Sequence, residues 1–348
     1  MKKWIGLTLV FGACQPQVSI PTVTANVETE KVLAQVDADA ADDPALWLNS
    51  AQPDSSFILG SNKTYGLEVY GLNGTRLANY PTGKINNIDV ANGVKFGDSL
   101  ISIVAGSNRD YDRIDVWSIS KNASDFELIS DTTMRTTLEG VYGFCLWNDT
   151  VEQSTYAFVN NKDGQVEQWR LLTDSLPVTM ELVRSFSAAG QVEGMVVDAE
   201  NRLLYLGEEQ GGVFTYALDD STTDRFRIPL SGEENPDLAY DIEGIAIYST
   251  NESKYLLTSS QGNNRYAVYD INRAYLYLGV FQVGNGTTID GAEETDGIDV
   301  YSGSFGPAYP KGVFVCQDGY NKDENGESIS QNFKVVDWRT IKKAMTLP

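Results

Sequence analysis

Short runs of alternating apolar and polar residues fill the chain, and they recur in a fixed order. The segments GLEVYGL, RIDVWSI, QVEQWRL, GVFTYAL, RYAVYDI and NFKVVDW set Tyr70, Trp117, Trp169, Tyr216 and Tyr269 in matching register. That period of two predicts half-buried strands. Before each comes an apolar run ending in polar residues: FILGSNK at 57–63, IVAGSNR at 103–109, AFVNNKD at 157–163, LYLGEEQ at 204–210, LLTSSQG at 256–262 and VFVCQDG at 313–319. Before each of those lies a polar or acidic opening followed by a first strand: DDPALWL at 42–48, NNIDVAN at 86–92, VYGFCLW at 141–147, VEGMVVD at 192–198, IEGIAIY at 242–248 and TDGIDVY at 295–301. No long segment of helical period competes with these strands. The repeat length is roughly fifty residues, the spacing of a propeller blade. Six openings therefore predict an all-β, six-bladed β-propeller over residues 37–348, whose closure leaves only short, protected edges.

The ends of the chain read differently. Residues 1–14, MKKWIGLTLVFGAC, carry two lysines, an apolar run and small residues before Cys14. The run is about half of the roughly 20 residues a membrane helix needs, so it reads as an export signal. Phe11-Gly12-Ala13-Cys14 also resembles a bacterial lipobox, which makes the protein either freely secreted or an outer-membrane lipoprotein anchored at Cys14. Residues 15–36 form an N-terminal segment. Its stretch TVTANVETEKVL at 22–33 has enough β-branched residues to supply the outer strand of the last blade, the alternative for residues 15–25 being a flexible spacer.

Composition narrows the chemistry. Among 348 residues there is no histidine, so Ser-His-Asp triads, phosphohistidine intermediates and histidine-ligated metals are excluded. With 26 basic against 48 acidic side chains the formal charge is −22, which repels nucleic acid. Cys145 and Cys316 fall in blades on opposite sides of the ring and are expected to be free, buried thiols. The chain is taken as a monomer.

The repeat register converts into a ring of side chains at one mouth of the propeller. First-strand openings bring Asp42 and Asp43, Asn86, Asn87 and Asp89, Tyr142, Glu193, Asp241 and Glu243, and Asp296 with Asp299. Second-strand ends bring Asn62-Lys63, Asn108-Arg109, Asn161-Lys162, Glu208-Glu209, Gln261 and Gln317-Asp318. Lys63, Arg109 and Lys162 belong to blades one to three, whereas the carboxylates gather in blades four to six. Taken singly, each is an ordinary turn residue; recurrence in register is what sets them apart. Carboxylates about 5 Å apart repel by roughly 3 kcal/mol per pair at an effective dielectric of about 20, so such a hub calls for cations. Oxygen-only ligands in large number select several calcium ions, with magnesium second. Hard cations beside fixed positive side chains form a receptor for several phosphate groups at once. A metal-bound water there, with its pKa lowered, could attack phosphorus.

The chain also resembles the β-propeller phytases, also called alkaline phytases or 3-phytases, from about residue 37 to 338. The segments that carry the resemblance are DAADDPALWL, SNKTYGLEVYGLNG, YPTGKINNIDV, GSNRD, EGVYGF, NKDGQVEQ, VEGMVVD, DIEGIAIY, SSQGN, TDGIDV and QNFKVVDW. It implies a six-bladed, calcium-dependent hydrolase that releases phosphate from phytate, myo-inositol hexakisphosphate, taken as its calcium complex. It further implies metal ligands at Asp43, Glu193, Glu208, Asp241, Glu243, Asp296 and Asp318. Lys63, Arg109 and Lys162 would bind phosphate and Tyr142 would contact it. Asp241, Glu243, Asp296 and Tyr142 would serve catalysis. Thr64 stands where the family commonly has a second lysine, and Asp163 where glutamate is frequent. Two other readings of the ring are a non-catalytic, calcium-stabilised binding propeller and a calcium-dependent lactonase or esterase, the latter expecting an apolar pocket over the metal.

Overall fold

Each sequence copy folds into its own antiparallel sheet, and the six sheets make a six-bladed β-propeller. The computed structural model describes residues 19–36, 38–218 and 224–348; the export signal read at 1–14, with Cys14, lies outside the described residues. The inner strands are Ala41–Trp47, Ile85–Phe96, Val141–Asp149, Val192–Asp198, Ile242–Ser249 and Ile298–Tyr301 in blades one to six. Each pairs outward with a second and a third strand, as the alternating pattern predicts. One α-helix, Trp338–Ala344, follows the last blade.

The core sits between blades rather than within any one sheet. A strand's two faces each meet a neighbouring blade, so apolar side chains collect in six clusters, each shared by adjacent blades. The register aromatics are buried there, Tyr70, Trp117 and Tyr269 at 0% exposure. Cys145 and Cys316 are free and buried in blades three and six.

The first and last parts of the chain interlock. Val27–Glu28 pairs antiparallel with Asn332–Asp337 and completes the sixth blade. Thr22–Val23 runs parallel to the outer strand of blade five, Leu276–Val283, giving that sheet a fifth strand that the sequence pattern did not reveal. Fully buried Lys334 fastens this junction, its ammonium lying 2.6 Å from Glu28 and contacting Asp290.

A shared irregularity positions the site. In blades one to five the inner strand carries a one-residue bulge against the second strand, at Ala41/Pro44, Ile85/Ile88, Val141/Phe144, Val192/Met195 and Ile242/Ile245. A bulge bends its strand and re-aims side chains. At the bulges stand Asp42, Asn86, Tyr142, Glu193 and Glu243, all turned toward one mouth of the ring. Glycine follows the last three because the next blade's backbone passes close. A Cβ on Gly194 would lie 1.8 Å from the Glu243 carbonyl oxygen, and one on Gly143 2.0 Å from that of Glu193. Below the bulges all six inner strands line a narrow axial channel containing Asp43, Asp89 and Asp299.

Candidate functional site

The mouth of the ring opens into a cleft of about 420 Å³ whose floor includes Lys63, Tyr142, Glu193, Glu243, Gln261 and Asp296. That size suits a small-molecule ligand. Among the described residues, Glu193, Glu209 and Glu243 each bring one carboxylate oxygen within 4.8 Å of the others. The Gln261 amide spans the next gap, donating to Glu243 Oε2 at 2.9 Å and to Asp296 Oδ1 at 2.7 Å. Lys63 continues the chain of contacts: its Nζ lies 2.6 Å from Asp39, 3.0 Å from Asp296 and 3.4 Å from Asp42.

One ammonium does not neutralise this many acids. Burial, then repulsion from Glu193 and Asp296, pushes the Glu243 carboxyl far above its ordinary range. Burial and then Asp296 likewise raise Glu193, and burial raises Asp42 despite the nearby ammonium. Burial alone would lower Lys63, but Asp42, Asp296 and Asp39 hold its ammonium above the usual lysine range. Asp42 is completely buried, yet neither of its side-chain oxygens has a hydrogen-bond partner; Oδ2 has only the Lys63 ammonium at 3.4 Å, and Oδ1 faces the site without one. Orphaned acceptors of this kind are costly unless a cation satisfies them. Crowded, all-oxygen and short of positive charge, the set fits a hard divalent cation.

Beside the acids stands a cationic corner built around Tyr142. Tyr142 donates its phenolic O–H to Glu193 Oε2 at 2.5 Å. Burial, with Glu193 second, pushes that phenol well up, so it stays protonated at neutral pH. Two cations flank its ring, Lys162 Nζ at 4.4 Å and the Arg109 guanidinium at 5.7 Å from the centroid. Both are exposed, beside a ring that lines the cleft. Buried Asn86 links the two halves, accepting from Arg109 at 2.9 Å and donating to Glu193 at 2.7 Å.

A sequence profile of the phytase family matches residues 10–347. This chain belongs to the phytase family. A 3-phytase of Bacillus subtilis (strain 168) is 38% identical over 325 residues, covering 92% of this chain and 84% of that protein. Among solved structures, the complex of BBS1N with ARL6DN soaked with lead aligns at a TM-score of 0.46 and 11% identity, over 80% of this chain and 74% of that one. The same complex soaked with mercury aligns at 0.46 and 12% identity, with the same coverage.

In this phytase the structure brings together Lys63, Tyr142, Glu193, Glu243 and Asp296, with Arg109 and Lys162 at the rim. It directs three others, Asp43, Glu208 and Asp318, away from the cleft floor. Asp43, the second residue of its bulge, turns into the axial channel, where its Oδ2 accepts the Ile88 N–H at 3.1 Å; Asp42 takes its place at the mouth. Glu208 points the other way along its strand, toward Arg225 and the Ala189 N–H, and Glu209 joins the cluster instead. Asp318 is fully buried beside Lys334 at 3.2 Å and accepts the Glu293 N–H, away from the cleft floor. Asp241 sits half-buried at the edge and holds the Gln210 amide. The expected split into a basic and an acidic half also needs amending, since Lys63 stands among the acids. Asp39 and Gln331 line the cleft too, and no repeat register pointed to them.

Proposed function

We propose that the chain hydrolyses the phosphate monoesters of phytate in this cleft, with the substrate arriving as its calcium complex. The observation that carries the reading is the meeting, in one cleft, of a cation-deficient carboxylate cluster and the Arg109–Tyr142–Lys162 corner. Asp42, Glu193, Glu209, Glu243 and Asp296 would hold calcium. When bound, calcium supplies Lewis-acid polarisation of a phosphoryl oxygen and a water made acidic enough to act at neutral pH.

The remaining work falls to the chain's own groups. Arg109 can grip one phosphate in bidentate fashion while Lys162 offers a point charge beside it. Tyr142, kept neutral, presents an O–H at Oη that can donate to a phosphoryl oxygen as readily as to Glu193. Lys63 is held between Asp42 and Asp296, so it neutralises the floor and orients its ammonium toward the cleft. The charged walls run against the lactonase or esterase alternative, which needs an apolar pocket. Net charge agrees with a metal-carrying substrate, because a protein of −22 repels bare polyanions.

The test is phosphate release from phytate with added calcium and again in chelator. Release with calcium and loss in chelator is expected; undiminished release in chelator would overturn the reading. The export signal and Cys14 support a proposal that the enzyme acts outside the cytoplasm, as a secreted monomer or a lipid-anchored one. Mass spectrometry of the mature N-terminus distinguishes those two forms.

A further inference from the structure

Blade one and blade six meet at the junction where the ring closes, with the first and last inner strands of the described residues side by side. Two carboxylates of the site face each other across it, Asp42 from blade one and Asp296 from blade six, both on Lys63. The dipeptide just before Asp42, Ala40-Ala41, is wholly buried. Its four backbone polar groups are all engaged, three of them by glutamines of blade six. Gln331 Oε1 accepts both N–H groups, of Ala40 at 2.7 Å and of Ala41 at 2.8 Å, while its Nε2 donates to the Gly319 carbonyl at 3.2 Å. Gln317, also fully buried, donates from Nε2 to the Ala41 carbonyl at 3.3 Å and accepts the Asp296 N–H on Oε1 at 2.9 Å. The fourth group, the Ala40 carbonyl, accepts the Lys63 N–H at 2.7 Å.

We propose that Gln317 and Gln331 are positioning residues, an amide clamp that fixes Asp42, Asp296 and Lys63 at the spacing a cation and a phosphate require. The proposal rests on the reading of this cluster as a cation and phosphate site. Side-chain amides suit the task. Each offers a donor and an acceptor on one rigid plane, and adds no charge to a hub already crowded with acids. The backbone they hold carries the first contact group, so a slip of the clamp moves Asp42 directly. Partners that orient metal ligands from behind typically change affinity or activity by about 10–100-fold when lost.

The experiment compares Gln331→Met, which keeps shape but removes both kinds of hydrogen bond, with Gln331→Glu, which keeps the double acceptor. Terbium luminescence titration of the purified protein reads metal affinity directly, and phosphate release against calcium concentration reads the site at work. Gln331→Met should weaken terbium binding and shift half-activating calcium upward by about 10–100-fold. Gln331→Glu, which keeps the acceptor for both N–H groups but loses the donor to the Gly319 carbonyl and adds a negative charge, should weaken terbium binding less than Gln331→Met does. Where the methionine variant does not fold, Gln331→Ser serves, because a short side chain lets water reach the two freed N–H groups; the same direction is expected. A control, Phe333→Leu, loosens the same blade junction through apolar packing, its ring lying against Tyr70 and Gly60, and leaves the glutamine hydrogen bonds in place. It should lower the melting temperature and leave terbium affinity unchanged. Wild-type affinity in Gln331→Met or Gln331→Ser, or equal weakening by Phe333→Leu, would overturn the clamp. Absence of terbium binding to the unaltered protein would instead overturn the reading beneath it.

Discussion

Replacing Lys63 by methionine should expose the double duty of this ammonium. The side chain is only 12% exposed and touches three carboxylates. Asp39, at 75% exposure, contributes little, as solvated pairs do. Asp42 and Asp296 are the ones left uncompensated. Removing one partner of a buried pair costs about 3–5 kcal/mol, and the lower end applies because the Gln261 amide still donates to Asp296. At about 2 °C per kcal/mol for a chain of this size, the melting temperature in chelator should fall by about 6 °C. Saturating calcium should shrink that deficit to about 2 °C or less, because a divalent ion replaces the missing charge and binds only the folded state. Phosphate release should nevertheless stay down by about tenfold to a hundredfold, the worth of one charged hydrogen bond to the substrate. Calorimetry with and without calcium, paired with a phosphate assay, reads both. An equal melting deficit in both buffers would refute the idea that Lys63 stands in for a cation. Full recovery of activity in calcium would refute its contact with phosphate.

Three further outcomes follow from the geometry. Glu243→Gln removes the cost of burying an acid beside Glu193 and Asp296, a cost the metal-free protein meets by holding that carboxyl protonated, so the metal-free variant should gain about 1–3 kcal/mol in thermal unfolding while terbium affinity drops at least about tenfold; a less stable metal-free variant would contradict this. Arg109→Ala and Lys162→Ala alter exposed side chains, so melting temperatures should hold within about 1 °C while the KM for phytate rises severalfold, measured by initial rates. In the channel, burial raises Asp89 to about 6, and burial with Asp89 raises Asp299 to about 7, whereas in the unfolded chain both ionise near pH 4. Across that window the folded state holds the extra protons, so metal-free stability should decline as pH rises from about 4 to about 7. Asp299→Asn should flatten the decline, and a melting temperature that instead climbed through this range would refute the assignment.

The blades were legible because their signal is redundant: six copies of one alternating pattern outvote any local ambiguity, and the strand aromatics all lie where period two puts them. Several residues of the hub were legible in the repeats, and each displacement has its own physical cause. Period-two reasoning assumes an uninterrupted strand, but the bulge at the openings of blades one to five inserts a residue, so Asp42 rather than Asp43 faces the mouth. At the end of the second strand of blade four the same parity question decides between Glu208 and Glu209, and Arg225 on the outermost strand of that blade claims the first. Asp318 was misplaced because its partner Lys334 lies one strand away and is invisible to a reading of openings and turns. Gln331 could not have been found from repeats at all, since its role depends on the junction between first and last blades, which occurs once.

The interlocked termini have a consequence for how the molecule is made. The segment that completes the sixth blade is synthesised first, yet its partner strand lies some 306 residues downstream. Until the final blade emerges, Val27–Glu28 has nothing to pair with, and afterwards the outer edge of Asn332–Asp337 stays open until that early segment returns. Contacts so distant in sequence form slowly. Sealing the ring is therefore expected to be the last act of folding, and a nascent chain halted before residue 332 should be captured by chaperones with both ends still searching.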